Sequence, residues 1–436
     1  MYNPEIEMMS VEAKQFIQLK RLQETVERVY EKVPFYRKRF QEHHVTPNGI
    51  RSLDDIQRLP FTEKSDLRDN YPFHLFAVPR EEVVRIHGSS GTSGKPTVVG
   101  YTKKDIENWS TIVARAITIA GGRKGDIFHN AYGYGLFTGG LGLHFGAEQL
   151  GVAVVPISGG NTDRQITVIE DFKPRGICGT PSYILNIAEH MREAGIDPKK
   201  TSLEYGIFGA EPWSEEMRKT LEETFQIKAL DIYGLSEVMG PGISIECHEA
   251  QDGLHVADDH FFIEVINPKT LEPVAEGEDG ELVFTSLTKE ALPIIRYRTG
   301  DIASITTERC ICGRTSTRMS RVKGRIDDML IIRGVNVFPT EIERCLLQID
   351  ELVPHYQIHL SKKGVLDHLE LHVEMNQDIY RNLSNDLNHP TVQGLRKKIQ
   401  HELKNTCLVS MNVVVQKPKA IPRSEGKAIR LIDHRM

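Results

Sequence analysis

Leu19, Leu22, Val26, Val29 and Val33 recur at alternating spacings of three and four, with charged residues between them. That period predicts one helix over 11–42 with an apolar stripe turned into a core. The stripe stops at Val33-Pro34, after about two heptads, which is too short for a coiled coil. Leu59-Pro60-Phe61-Thr62-Glu63-Lys64 then reads as a loop leading into a short helix. From 104 to 236 the pattern alternates. Helical stretches near 104–120, 163–173, 182–194 and 214–225 separate short apolar runs at 126–128, 152–155, 176–178, 205–208 and 229–233. Such alternation predicts a mainly parallel sheet with helices on both faces. Beyond about 243 the runs shorten to strand length, at 261–266, 281–285 and 302–305, with turns at Asn267-Pro268 and Gly277-Glu278-Asp279-Gly280. A β subdomain is expected over about 243–322.

The last hundred or so residues predict a compact α+β unit. Thr340-Glu341-Ile342-Glu343 is a capping box opening a helix. Leu369, Leu371, Val373 and Met375 alternate with polar residues as in a half-buried strand, 395–406 is helical, and 411–416 is strand. The boundary falls in Gly324-Arg325-Ile326-Asp327-Asp328. The fold expected is therefore α/β, with a large domain over 1–326 and a small α+β domain over 327–436.

Composition narrows the class. The 436 residues exceed one ordinary core, and 39% hydrophobic with 26% charged residues is ordinary for a soluble protein. The net charge of −6 offers no basic excess for nucleic acid or an anionic membrane. No apolar run is long enough to span a bilayer. The acidic start Met1-Tyr2-Asn3-Pro4-Glu5-Ile6-Glu7 lacks the apolar core of a signal peptide. Six cysteines in this length do not read as a disulfide framework. A cytoplasmic protein is expected.

Chemistry concentrates in a few loops. Gly88-Ser89-Ser90-Gly91-Thr92-Ser93-Gly94-Lys95-Pro96-Thr97 combines three glycines, hydroxyls and a lysine between β-branched runs. Glycine lets several backbone N–H groups face one anion, while the hydroxyls and Lys95 add donors and charge. The spacing is not that of a Walker A loop, and the following Val98-Val99-Gly100-Tyr101 reads as strand. The unit is strand–loop–strand, either a phosphate loop or, less simply, a linker. Tyr132-Gly133-Tyr134-Gly135, Gly209-Ala210-Glu211-Pro212 and Tyr233-Gly234-Leu235-Ser236-Glu237 all follow strands, where parallel sheets bind ligands. Glu237 is an oxygen ligand for a hard cation or a surface carboxylate. Asp301, in Arg296-Tyr297-Arg298-Thr299-Gly300-Asp301, suits a ribose diol or a salt-bridged turn. Lys427, after Gly426 in a non-helical segment, can reach a phosphate as a point charge or can simply be solvated. Tyr132, Tyr134 and Phe137 cluster beside glycines in a chain with 7% aromatics, as in a slot for a flat ligand or as core packing.

Taken together and in order, these elements resemble the phenylacetate–CoA ligase family of the adenylate-forming superfamily, over essentially the whole chain. The segment 89–102 looks like its phosphate loop, 132–140 like its aryl pocket, 209–213 like its adenine turn, and Asp328-Met329-Leu330-Ile331-Ile332-Arg333-Gly334-Val335-Asn336-Val337-Phe338-Pro339 is highly specific to it. The resemblance implies two half-reactions: ATP and an aryl-acetic acid, phenylacetate favoured, give acyl-adenylate and pyrophosphate, and coenzyme A then takes the acyl group. It further implies that Ser90, Gly91, Thr92, Ser93, Gly94 and Lys95 hold phosphates, that Glu237 binds Mg²⁺, and that Asp301 binds ribose. Ala210, Glu211, Pro212, Asp231, Tyr233 and Gly234 would serve the nucleotide, and Arg325 its ribose or phosphate. Tyr132, Tyr134, Phe137 and Gly139 would line the acid pocket. Lys427 would bridge carboxylate and α-phosphate during adenylation. In the superfamily the small domain is mobile and rotates between the steps; Asp327 holds the hinge position, and Arg333, Gly334, Val335 and Asn336 would line the coenzyme A tunnel. Relatives suggest a homodimer. Ser93 stands where many members have Thr, and Gly300 where close relatives often have Arg.

Cys310-Ile311-Cys312 lies in a polar turn, and Cys247 with His248, His255 and His260 precedes it in the same subdomain. Three thiolates and one imidazole suit tetrahedral Zn²⁺, and some relatives carry such a turn with structural zinc. Cys247, Cys310, Cys312 and His255 are the expected ligands, His255 ahead of His248; the alternative is that these cysteines are inert thiols. Other readings are a relative adenylating a deazaflavin cofactor or loading a carrier protein, and a catalytically silent nucleotide- or zinc-binding regulator.

Overall fold

The fold is described from a computed structural model, which covers residues 1–436 apart from 90–96, 333–334, 364–365, 408–410 and 435–436. The predicted apolar stripe is real core: Leu22, Val26, Val29 and Val33 are fully buried. The helix is nevertheless two helices, Val11–Lys32 and Pro34–Glu42. Pro34 has no N–H and disfavours helical angles at the residue before it, so Val33 turns extended and the chain restarts.

Every apolar run between 126 and 233 forms a strand of one nine-stranded sheet. Ala153–Val155, Ile127–Asn130, Gly176–Gly179, Tyr205–Gly209 and Lys228–Leu235 lie side by side in that order, all parallel. Helices Gly139–Leu150, Thr162–Phe172, Pro181–Glu193 and Glu215–Phe225 supply the crossovers, and Lys103–Ile119 leads into the first of these strands. The stretch expected as a β subdomain contributes to two sheets. Leu254–Val256, with Gly240–Glu246 just before it, extends the large sheet antiparallel. Phe261–Ile266, Gly280–Ser286 and Tyr297–Ala303 form a second sheet, closed by Gly324–Arg325. Two short apolar strands cannot reveal in sequence which neighbour they pair with.

Val83–Ser89 and Thr97–Thr102 pair antiparallel, with Ser89 opposite Thr97. The strand–loop–strand reading therefore holds up to the rim of the loop, while Ser90, Gly91, Thr92, Ser93, Gly94 and Lys95 lie outside the described residues. Residues 330–415 pack a core of their own around Ile342, Leu371, Val373, Ile399 and Val415. Its sheet runs Asn412–Gln416, Leu366–Met375, Leu352–Lys363, Leu431–Asp433. The helix start, capped at Phe338, lies two residues before the predicted capping box at Thr340. The helix Pro339–Leu346 starts at Pro339, and Glu341 accepts the Phe338 N–H. Thr340 is inside the first turn, where its hydroxyl donates to Lys323 O instead. Among the described residues no helix is long and apolar enough to cross a membrane.

Candidate active site

The carboxyl ends of the parallel strands gather the predicted loops. At the end of Tyr205–Gly209 the backbone of Gly209 lies so close to Ile232 O that a Cβ would sit 2.2 Å from it. The next residue, Ala210, is held at φ +68°, a conformation costly without glycine. That kink aims Glu211 back across the strand ends. Its Oε1 accepts from Ser182 N at 2.9 Å and its Oε2 from Ala428 N at 2.8 Å. Glu211, expected beside the adenine, thus clips the C-terminal loop to the large sheet. Asp231 is likewise engaged from beneath: Trp213 Nε1 donates to it at 3.0 Å and Arg321 Nε at 3.2 Å. Arg321 also lies 4.2 Å over the Trp213 ring.

Asp301, on Tyr297–Ala303, is buried between two donors. The Tyr233 hydroxyl bonds Oδ2 at 2.7 Å and Arg325 Nη1 bonds Oδ1 at 2.7 Å. Burial raises its pKa and Arg325 opposes that rise. Each carboxylate oxygen keeps a second lone pair for a ribose hydroxyl. Gly300 sits at φ +75°, so glycine fits this turn better than the arginine of relatives would, and the Asp301–Arg325 pair is intact. Asp327 is exposed, 3.7 Å from Arg325 Nη2.

Glu237 follows Leu235 and is buried. Among the described residues no donor bonds its carboxylate, which leaves its oxygens for a hard cation. Lys427 arrives from the C-terminal loop. Thr180 Oγ1 donates to Gly426 O at 2.8 Å, and Ser424 Oγ to Lys427 O at 2.7 Å. Lys427 is an exposed residue, yet the protein around it partly desolvates its ammonium. Desolvation lowers its pKa, Arg325 lowers it further, and the charges of Glu211, Glu237 and Asp301 oppose. One lysine and three carboxylates from four distant segments therefore share one field.

The aromatic segment is partly core. Tyr132 is buried, its ring against Gly139, and its hydroxyl has no partner among the described residues. Tyr134 accepts from Asn130 Nδ2 at 2.7 Å and meets His144 Nδ1 at 3.2 Å. Phe137 is exposed. The segment is tied to the rim of the phosphate loop by Gly88 N donating to Leu136 O at 2.9 Å. Gly234 closes on the neighbouring strand, since a Cβ there would lie 2.0 Å from Gly240 O. Of the expected tunnel residues, Arg333 and Gly334 lie outside the described residues, while Val335 and Asn336 pair in a short hairpin with Ile332 and Ile331.

The donor atoms of Cys247, His255, Cys310 and Cys312 lie within 4.8 Å of one another. Cys247 Sγ and Cys310 Sγ are 3.6 Å apart, and Cys312 Sγ is 3.4 Å from His255 Nε2. A tetrahedron with Zn–S bonds of ~2.3 Å has edges of about 3.8 Å, so the set fits zinc. His255 Nδ1 meets Ser316 Oγ at 2.9 Å, which orients the ring and leaves Nε2 toward the thiols. His248 lies against Gly121 instead, and His260 pairs with Asp259.

Sequence reasoning missed the partners that hold the two parts together. Glu189 meets His355 Nε2 at 2.8 Å and Arg423 Nε at 3.3 Å, and Glu343 Oε1 accepts from Ser214 N at 3.1 Å. Separations of more than a hundred residues leave no local signal for such pairs.

The AMP-binding enzyme family matches residues 12–288, and the AMP-binding enzyme C-terminal domain matches 334–435. The chain is 52% identical to a phenylacetate-coenzyme A ligase of Thermus thermophilus, covering 99% of both chains. It is 51% identical to that of Escherichia coli, covering 99% of this chain and 97% of the relative. A crystal structure of 2-hydroxyisobutyryl-CoA ligase in the postadenylation state, with an acyl-AMP bound, superposes with a TM-score of 0.93 at 29% identity, covering 99% of this chain and 92% of that one. Against the same ligase in the thioesterification state the TM-score is 0.73.

Proposed function

The chain belongs to the phenylacetate–CoA ligase family of AMP-binding enzymes, and from that premise we propose how its residues perform an AMP-forming acid–thiol ligation. A carboxylate oxygen of phenylacetate attacks the α-phosphorus of ATP, and the bond to pyrophosphate breaks. The thiolate of coenzyme A then attacks the acyl carbon of the adenylate, and AMP leaves. Adenylation exchanges a poor leaving group for a good one. The protein's part is to hold anions together and to stabilise the charge that moves between them.

The observation that carries the assignment of roles is the convergence of Lys427 with Glu237, Asp301 and Arg325 at the strand ends. Lys427 sits between the attacking carboxylate and the α-phosphate and screens their repulsion. Asp301 and Arg325 hold the ribose, with Tyr233 fixing the Asp301 carboxylate. Ser90, Thr92, Ser93 and Lys95 grip the pyrophosphate side, at the rim set by Ser89 and Thr97. Tyr132, Tyr134, Phe137 and Gly139 face the aryl group. Glu237 holds the Mg²⁺ that supplies Lewis-acid neutralisation of phosphate charge. Cys247, His255, Cys310 and Cys312 hold a structural zinc. Asp327 is the hinge for a later rotation that brings 333–336 to the coenzyme A path. The same reading carries a cytoplasmic homodimer, which light scattering checks.

A panel of carboxylic acids in an AMP-release assay with ATP and coenzyme A tests the function. Phenylacetate should lead, and release should require the thiol. Adenylate accumulating without any thiol transfer would instead favour another acceptor.

A further inference from the structure

The helix Pro181–Glu193 has two unlike faces. Tyr183, Ile184, Ile187, Ala188 and Met191 lie in the core beneath the parallel sheet. Ser182, Asn186, Glu189 and Glu193 recur at four, three and four residues, one narrow polar stripe on the opposite side. That stripe is covered by the C-terminal part of the chain. At its start, Ser182 N and Ala428 N share the Glu211 carboxylate. In its middle, Glu189 accepts from His355 Nε2 at 2.8 Å and Arg423 Nε at 3.3 Å. Arg423 is itself fixed by Glu374, with both bonds at 2.7 Å. At its end Glu193 pairs with Lys419. Ser182 Oγ and Asn186 Oδ1 are buried without protein partners among the described residues. Both line a cavity of about 20 Å³ shared with His355, Arg423 and Arg430, space for one water molecule.

The polarity has a physical reason. A face covered in one half-reaction and bare in the next must tolerate water. An apolar stripe would cost free energy each time it was uncovered and would invite aggregation. Charged pairs at a half-buried rim contribute orientation with little net affinity, so the contact can open. The segment that bonds the stripe, 419–430, also carries Lys427, and the arrangement superposes better on 2-hydroxyisobutyryl-CoA ligase in its postadenylation state than in its thioesterification state. We propose that the stripe Ser182–Asn186–Glu189–Glu193 is the docking face that seats Lys427 for adenylation, with Glu189 as its positioning residue. The inference rests on the ligase reading above.

Glu189→Gln keeps size and removes charge. Pyrophosphate exchange into ATP, driven by phenylacetate, should fall about tenfold or more, while thioester formation from supplied phenylacetyl-adenylate and coenzyme A should stay within about twofold of the parent. His355→Gln, on the opposite side of the contact, should give the same split. The double variant should lose little more than either single one, because both remove one interaction. Equal loss of both half-reactions, no loss of exchange, or fully additive losses would overturn the proposal. If the parent chain exchanges with no aryl acid, it is the ligase reading that fails. Hydrogen exchange then decides the docking face: amides of 182–193 should exchange faster in Glu189→Gln, and unchanged rates would count against it.

Discussion

Lys427 carries the most pointed residue-scale expectation. Partial desolvation and the charge of Arg325 hold its pKa below the ordinary lysine value of 10.5. The protonated form is the one that screens the carboxylate–phosphate repulsion. As pH rises through the lowered pKa, that form is lost. The kcat/KM for adenylation should therefore fall on the alkaline side earlier than an ordinary lysine would dictate. Lys427→Ala should abolish phenylacetate-driven pyrophosphate exchange, by roughly a hundredfold or more, yet spare thioester formation from supplied adenylate. Lys427→Arg should remove the alkaline limb, since guanidinium does not titrate there. A pH profile of exchange on the three proteins checks this; an unchanged limb in Lys427→Arg would assign it to another group. Lys427 was legible in sequence only through its company. A lone lysine after glycine says nothing, whereas the motifs at 89–102, 233–237 and 296–301 together gave it a role. The engagement of Glu211 by Ser182 and Ala428 was not legible, because a carboxylate's partners are set by the chain's path and not by its neighbours.

At the scale of elements, the loop Tyr132–Thr138 and the helix Gly139–Leu150 depend on a close approach. A Cβ on Gly140 would lie 2.5 Å from Gly133 O, and Asn130 Nδ2 donates to Gly140 O at 2.8 Å. Neither backbone can give way without moving Tyr132 and Tyr134. Gly140→Ala should cost about 1–3 kcal/mol in urea unfolding. It should also raise the KM for phenylacetate more than that for ATP. Equal effects on both would detach this loop from the acid pocket. Most strands and helices from 104 to 236 were visible in sequence as short apolar runs alternating with helical stretches, but the helix Gly139–Leu150 was not, because its four glycines weaken the helical signal. The pairing of the strands near 243–325 was not, because short strands carry no label for their neighbours. The break at Val33-Pro34 was readable as the end of a stripe, but its consequence, two helices, came from the backbone chemistry of proline.

For the whole molecule, the cysteine turn bears on how the chain's start is held. Beside Cys312, Arg314 Nε bonds Glu7 Oε2 at 2.7 Å, both side chains buried, and Thr315 N donates to Glu7 O at 2.9 Å. A metal that fixes the turn also anchors the short helix Pro4–Glu7 at the start of the chain. Elemental analysis should find one zinc per chain. Strong chelation, or Cys310→Ser, should lower Tm by several degrees in calorimetry and leave the ratio of the two half-reactions unchanged. Protein purified without chelator and free of zinc would sink the site.

The amino-acid sequence alone determined the class of chemistry and the order of parts: an α/β body with motif-bearing strand ends, then a small α+β unit carrying a lysine. Periodicity and loop composition are local properties, and local properties survive in one dimension. Only the tertiary structure decided which charges meet. Glu211 holds Ala428, Asp301 sits between Tyr233 and Arg325, and Glu189 joins His355 and Arg423 across the two parts. Such pairs are made where distant segments close on one another. Their strength comes from burial and distance, which no spacing along the chain encodes.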